Sequence, residues 1–110
     1  MIAAILETLK DTREQIATED RWCKGHLALD KDGLEVSPRA EGACYWCIVG
    51  AIDTVRKDLA TGKQAVKFLD NYHGGCIVNL NDHPDTTHQD MIRFLDRAIK
   101  EVEQNVNAGQ

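Results

Sequence analysis

Three pairs of candidate metal ligands recur at one spacing, Cys23-x-x-His26, Cys44-x-x-Cys47 and His73-x-x-Cys76, with His83 and His88 besides. Thiolate and imidazole at that separation suit the tetrahedral shell of zinc. The residues between them argue against it. Zinc knuckles set Cys-x-x-Cys on a tight turn of Gly or polar residues, whereas Tyr45-Trp46 lie in a stretch that reads as buried helix. Two buried thiols near one helix face are the better reading, so no metal site and no cofactor is assigned.

Nucleophilic catalysis is the second chemistry to weigh. Cys44 or Cys47 near a helix start would be the nucleophile, His73 its base, and Asn81 or Asp82 the group orienting the ring. The chain offers too few strands for the half-barrel of small cysteine peptidases, and a Cys one turn into a helix is shielded. A third cluster, Trp22, Gly25, Trp46, Cys47, Asn81 and Asp82, forms the candidate pocket. Read functionally, Asn81 and Asp82 are a polar wall above a floor of tryptophans. Read structurally, they cap the last helix and hold the loop before it, and capping is the commoner use of such residues. His26, His83 and His88 read as surface or hydrogen-bonded residues.

The elements that must position these groups follow from periodicity. Ile2, Ile5, Leu6, Leu9 and Ile16 recur at helical spacing and predict a helix over 1–18. Leu27 and Leu29, then Leu34 and Val36, alternate around Asp30-Lys31-Asp32-Gly33, which predicts a short β-hairpin with an Asp-Gly turn and no calcium loop. Ser37-Pro38 suits a helix start. The main helix is then expected from Ala43 to Leu59, with Gly50 marking a close approach of another backbone. Thr61-x-x-Gln64 fits a capping box for a short helix to Tyr72, and Cys76–Leu80 reads as one strand or an extended connector. Thr86-x-x-Gln89 or Thr87-x-x-Asp90 opens the last helix, whose stripe Ile92, Leu95, Ile99, Val102 and Val106 is the clearest in the chain. That stripe is expected to pack on the Cys44-to-Leu59 helix or on a second copy. Asp96/Lys100 and Arg97/Glu101 are expected as pairs on its outer face, and the tail after Val106 is expected to fray.

Composition narrows the function classes. A chain of 110 residues fits one domain, 1–110. With 5% aromatic residues, aliphatic side chains must supply most of the core. Its net charge of −5, with both signs interspersed, lacks the basic footprint of a nucleic-acid binder. No apolar run approaches a membrane span, and Glu7 interrupts the first one without a basic segment before it, so neither a span nor a signal peptide is expected. The cytoplasm is the expected compartment, and the four cysteines are expected to be free thiols.

Several runs together resemble a known family. They are Trp22-Cys23-Lys24-Gly25-His26-Leu27-Ala28-Leu29-Asp30-Lys31-Asp32-Gly33, Val36-Ser37-Pro38, Ala43-x-x-Trp46-Cys47-x-x-Gly50-Ala51-Ile52, Asn81-Asp82-x-Pro84, Thr87-His88 and Leu95-Asp96-Arg97-Ala98-Ile99. The chain resembles, over nearly its whole length, short bacterial and phage proteins grouped as a domain of unknown function. The resemblance implies a shared fold and no assigned activity. It takes in Cys47 but not Cys23, Cys44, Cys76 or His73, and Leu80 stands where that family usually has an aromatic residue. The sequence therefore leads to a mainly α, α+β fold of about four helices with a short hairpin and one extended segment. For function it leads to a noncatalytic protein-binding module with a protein partner or a second copy. The alternative is a small enzyme or ligand-binding domain centred on Cys47 with Asn81 and Asp82, and a lesser alternative is a structural zinc module.

Overall fold

The computed structural model of the chain describes residues 2–108. Helix α1 (Ile2–Gln15) leads through a 3-10 turn (Glu19–Arg21) to strand β1 (Ala28–Asp30), strand β2 (Ala43–Trp46) and helices α2 (Ile48–Val55), α3 (Leu59–His73), α4 (Ile77–Asp82) and α5 (His88–Ala108). The fold is mainly helical α+β, with a two-stranded antiparallel pair. No helix among the described residues is long and apolar enough to cross a membrane. Of the tail expected to fray after Val106, Asn107 and Ala108 continue α5, and Gly109 and Gln110 lie outside the described residues.

The helices enclose one core cluster that includes Leu9, Ile16, Ile48, Ile52, Leu69, Ile77, Met91 and Leu95, with Ala51, Ala65 and Ala98 buried among them. Helix α1 is its hub, packing most extensively on α5 and then on α2 and α3. Two threonines, Thr8 and Thr12, are buried within α1, their hydroxyls donating to the carbonyls of Ala4 (2.9 Å) and Thr8 (2.7 Å) one turn back. The α5 stripe is thus covered by α1, not by the Cys44-to-Leu59 segment as expected. The same pairing redirects the charges. Asp96 takes Arg13 of α1 at 2.6 Å instead of Lys100, and Lys10 meets Glu103 at 3.5 Å.

Local chemistry explains the helix boundaries. Thr87 and Asp90 form a reciprocal capping box, Asp90 N–H donating to Thr87 Oγ1 (3.1 Å) and Thr87 N–H to Asp90 Oδ2 (2.9 Å). Asp58 caps α3 by accepting from Thr61 N at 2.7 Å, so α3 starts earlier than the Thr61 box implied. The amides of Thr61 and Thr87 hold the Asp58 and Asp90 carboxyls below the usual carboxylate range. Helix α3 ends on Gly74, whose φ of 82° closes the left-handed cap.

Three segments depart from the sequence expectation. The Asp30–Gly33 turn forms, Asp30 Oδ1 accepting from the amides of Asp32 and Leu34 at 2.9 Å. The ladder partner of β1, however, is β2, in the register Ala28↔Trp46, Leu29↔Tyr45 and Asp30↔Ala43, and only a bridge at Leu29↔Glu35 joins the near arm. Residues 43–46 are therefore strand rather than helix, and Ser37-Pro38 lies in turns, not at a helix start. Cys76–Leu80 is not extended. From Ile77 it is helical, because the Asp70 carboxylate accepts from Ile77 N at 2.8 Å and supplies the cap that Cys76 does not.

Candidate functional site

The residues singled out from the sequence converge where the loop before β1, the start of α2 and the end of α4 meet. Trp22 forms a parallel bridge with Trp46, and the Cys23 amide donates to the Trp46 carbonyl at 3.1 Å. The chain then turns at Gly25, whose φ of 80° favours glycine. It returns so that the Leu27 carbonyl accepts from Cys47 N at 3.2 Å. Leu27 passes so close to α2 that a Cβ built on Gly50 would lie 1.9 Å from that carbonyl oxygen. The close approach expected at Gly50 is that of the loop carrying Gly25.

Asn81 holds this junction together. It is fully buried, and its side chain makes four hydrogen bonds. Oδ1 accepts from Trp22 Nε1 at 2.8 Å and from Ile48 N at 3.0 Å; Nδ2 donates to Cys23 O at 3.1 Å and to Asp82 Oδ1 at 2.9 Å. Asn81 therefore caps α2, distant in sequence, and not α5. Asp82 in turn accepts from Gly25 N at 2.9 Å through the same Oδ1. No buried side-chain nitrogen or oxygen is left unpaired among the described residues.

Above this network lies a cleft of about 250 Å³ lined by Gly25, His26, Leu27, Glu35, Cys47, Val78 and Asp82. Gly25, Cys47 and Asp82 of the candidate pocket line it, while Asn81 stands behind it. Trp22 turns toward Asn81 and His88, and Trp46 donates to the Pro38 carbonyl at 3.0 Å. Neither tryptophan lines the cleft. Leu27, Glu35 and Val78 were not legible as lining residues. Leu27 reads as an inward strand residue, Val78 belongs to the segment taken as extended, and Glu35 is defined by its contact with His26 (3.5 Å) across the turn. A second depression of about 250 Å³ runs between α2 and α3 past Val49, Leu59, Lys63 and Val66; it holds the Asp53–Arg56 ion pair and no cysteine or histidine.

The site's cysteines are not poised for attack. Cys47 is buried at the N-cap of α2, its Sγ accepting from Gly50 N at 3.3 Å. Burial pushes its thiol up, the Gly50 and Val49 amides oppose this, and the Asp82 charge adds to the rise. Burial, the neighbouring Cys47 and Asp82 push Cys23 up to about 12. Cys44 and Cys76 are exposed, and His73 packs edge-on against Phe94. The three spaced pairs do not converge, and among the described residues no group of three or more His, Cys, Asp or Glu side chains is arranged to hold a metal. Accordingly, a maleimide at neutral pH should modify Cys44 and Cys76 in the native protein and Cys47 only after unfolding, as read by peptide mass mapping. Native labelling of Cys47 as fast as Cys44 would refute this description of the thiol.

Residues 2–101 match the model of a family of unknown function (DUF6197). The chain belongs to that family. The DUF6197 match spans α1 through most of α5 and includes every residue of the cleft and of the Asn81 network. The family brings a fold relationship without an activity. No curated protein and no solved structure was found to match the chain.

Proposed function

We propose that the chain is a noncatalytic protein-binding module that takes a segment of its partner into the cleft between Gly25, Cys47 and Asp82. One observation carries this reading: the polar groups beneath the cleft already bond one another, while apolar side chains at its rim stay in water. Leu27 is 47% exposed and Val78 39%. Exposed aliphatic side chains around a concavity, on a base tied down by hydrogen bonds, are what a preformed recognition surface requires. The resemblance to short bacterial and phage proteins makes host or phage polypeptides the first partners to try.

The alternative, an enzyme centred on Cys47 with Asn81 and Asp82, asks those residues to activate a nucleophile. Their positions work the other way. Asn81 is saturated by four bonds, and the Asp82 charge raises the thiol it would have to ionise.

Selection of binders from a random peptide library tests the reading. The enriched peptides should lose about tenfold in affinity for Val78→Asp, the effect of one buried contact residue. They should bind Leu59→Asp, which alters the α2–α3 depression, as well as the parent. Binders indifferent to Val78→Asp but lost with Leu59→Asp would move the site to that depression and overturn the proposal. So would a parent protein that self-associates through the Val78 face on light scattering and yields no binders.

A further inference from the structure

We infer that the cleft selects a lysine side chain of the bound segment, seating its ammonium on Asp82 and its methylene stem along Leu27 and Val78. This rests on the cleft being the partner-binding surface and goes beyond it by specifying what is bound.

Asp82 is held in place from one side. Its Oδ1 accepts from both Gly25 N and Asn81 Nδ2 at 2.9 Å, which fixes the carboxylate plane at the cleft wall. Oδ2 has no donor, and no Lys, Arg or His nitrogen lies within ion-pairing distance of the carboxylate, among the described residues. Lys24, next to Gly25 in the chain, is engaged elsewhere, with Nζ on the His83 carbonyl at 2.6 Å and over the Trp22 ring. The field of Asp82 nevertheless reaches the thiols of Cys47, which lines the cleft, and of Cys23, raising both. Glu35, 68% exposed, adds a second carboxylate at the rim.

Shape and chemistry then choose among cations. A guanidinium binds a carboxylate best through two parallel N–H···O bonds, and an Asp82 with one oxygen already occupied twice cannot supply them. An ammonium needs only one strong acceptor. Its aliphatic stem would cover Leu27 and Val78, which a small hydrated cation would leave wet.

The probe is acetyl-Leu-Lys-Leu-amide, titrated into the 15N-labelled protein beside its norleucine and arginine counterparts and butylamine. The lysine peptide should shift the amides of Gly25, Leu27, Val78 and Asp82. It should bind about three- to fivefold more tightly than the norleucine peptide, the range of a partly exposed ion pair. Added salt should shrink that advantage. Asp82→Asn, which keeps an Oδ1 acceptor for Gly25 and Asn81, should abolish it. If that variant does not fold, the norleucine comparison and the salt series on the parent decide alone. Equal binding of lysine and norleucine, a preference for arginine, or an advantage surviving in Asp82→Asn overturns lysine selection. Butylamine binding as tightly as the peptide would make the ligand a free amine and overturn it as well. A norleucine peptide seated in the cleft as firmly as lysine leaves the binding role intact. Peptides that shift Val49, Leu59 and Lys63 instead remove both.

Discussion

Gly50→Ala is expected to destabilise the protein by about 3 kcal/mol or more, although alanine is ordinarily the better helix former by about 1 kcal/mol. The added methyl has nowhere to go. Its nearest neighbours would be the Leu27 carbonyl oxygen at 1.9 Å, carbon at 2.8 Å and Cα at 3.3 Å, all backbone. Relief requires the Gly25–Leu27 loop to leave α2, which breaks the bond from Cys47 N to Leu27 O and opens the cleft. Gly62→Ala is the contrast. There the new Cβ would meet Arg56 Cδ at 2.6 Å and Cβ at 3.3 Å, side-chain atoms that can shift at the expense of the Arg56–Asp53 contact, so the helix gain offsets part of the crowding. Urea melts of the two variants should separate clearly. Similar midpoints, close to that of the parent, would contradict the packing of Leu27 on α2.

Asn81→Leu should have a comparable effect by a different mechanism. The branched shape is retained in a larger volume, but Trp22 Nε1, Ile48 N and Cys23 O lose their partner together. A buried group left unpaired costs about 1–3 kcal/mol, and partial access of water moderates the sum, so a loss of about 3 kcal/mol is expected. Asn81→Asp is no rescue: it keeps acceptors for Trp22 and Ile48 but turns an oxygen toward Cys23 O and Asp82 Oδ1. In Asn81→Leu the Ile48 amide should exchange faster and tryptophan emission should shift to the red as the Trp22 indole meets water. A variant with parental stability and undisturbed Ile48 protection would show that Asn81 does not hold the junction.

Much of the fold was legible because α1 and α5 carry long apolar stripes at helical period, and Thr87 with Asp90 marks the start of α5 within the chain's own local sequence. What was illegible depends on distant partners. Residues 43–46 and 76–80 are short, mostly apolar runs, which periodicity alone cannot assign. The first becomes strand by pairing with β1, and the second becomes helix because Asp70, 7 residues back, caps Ile77. Asn81 looked like a cap for the helix after it, since its type suits any helix start. Its actual target, Ile48, lies 33 residues upstream. Gly50 was readable because glycine in an apolar helix implies a neighbouring backbone, although nothing local named Leu27 as that neighbour. The cleft shares this divide. Cys47 and Asp82 could be nominated by type, whereas Leu27, Glu35 and Val78 come together only through the tertiary contacts that Asn81 organises.

The most direct measurement is an amide chemical-shift map of the labelled protein with a library-selected peptide. The account predicts perturbations centred on Gly25, Leu27, Cys47, Val78 and Asp82, with Val49, Leu59 and Lys63 unmoved. Perturbations confined to the latter group would contradict the assignment of the cleft as the binding surface.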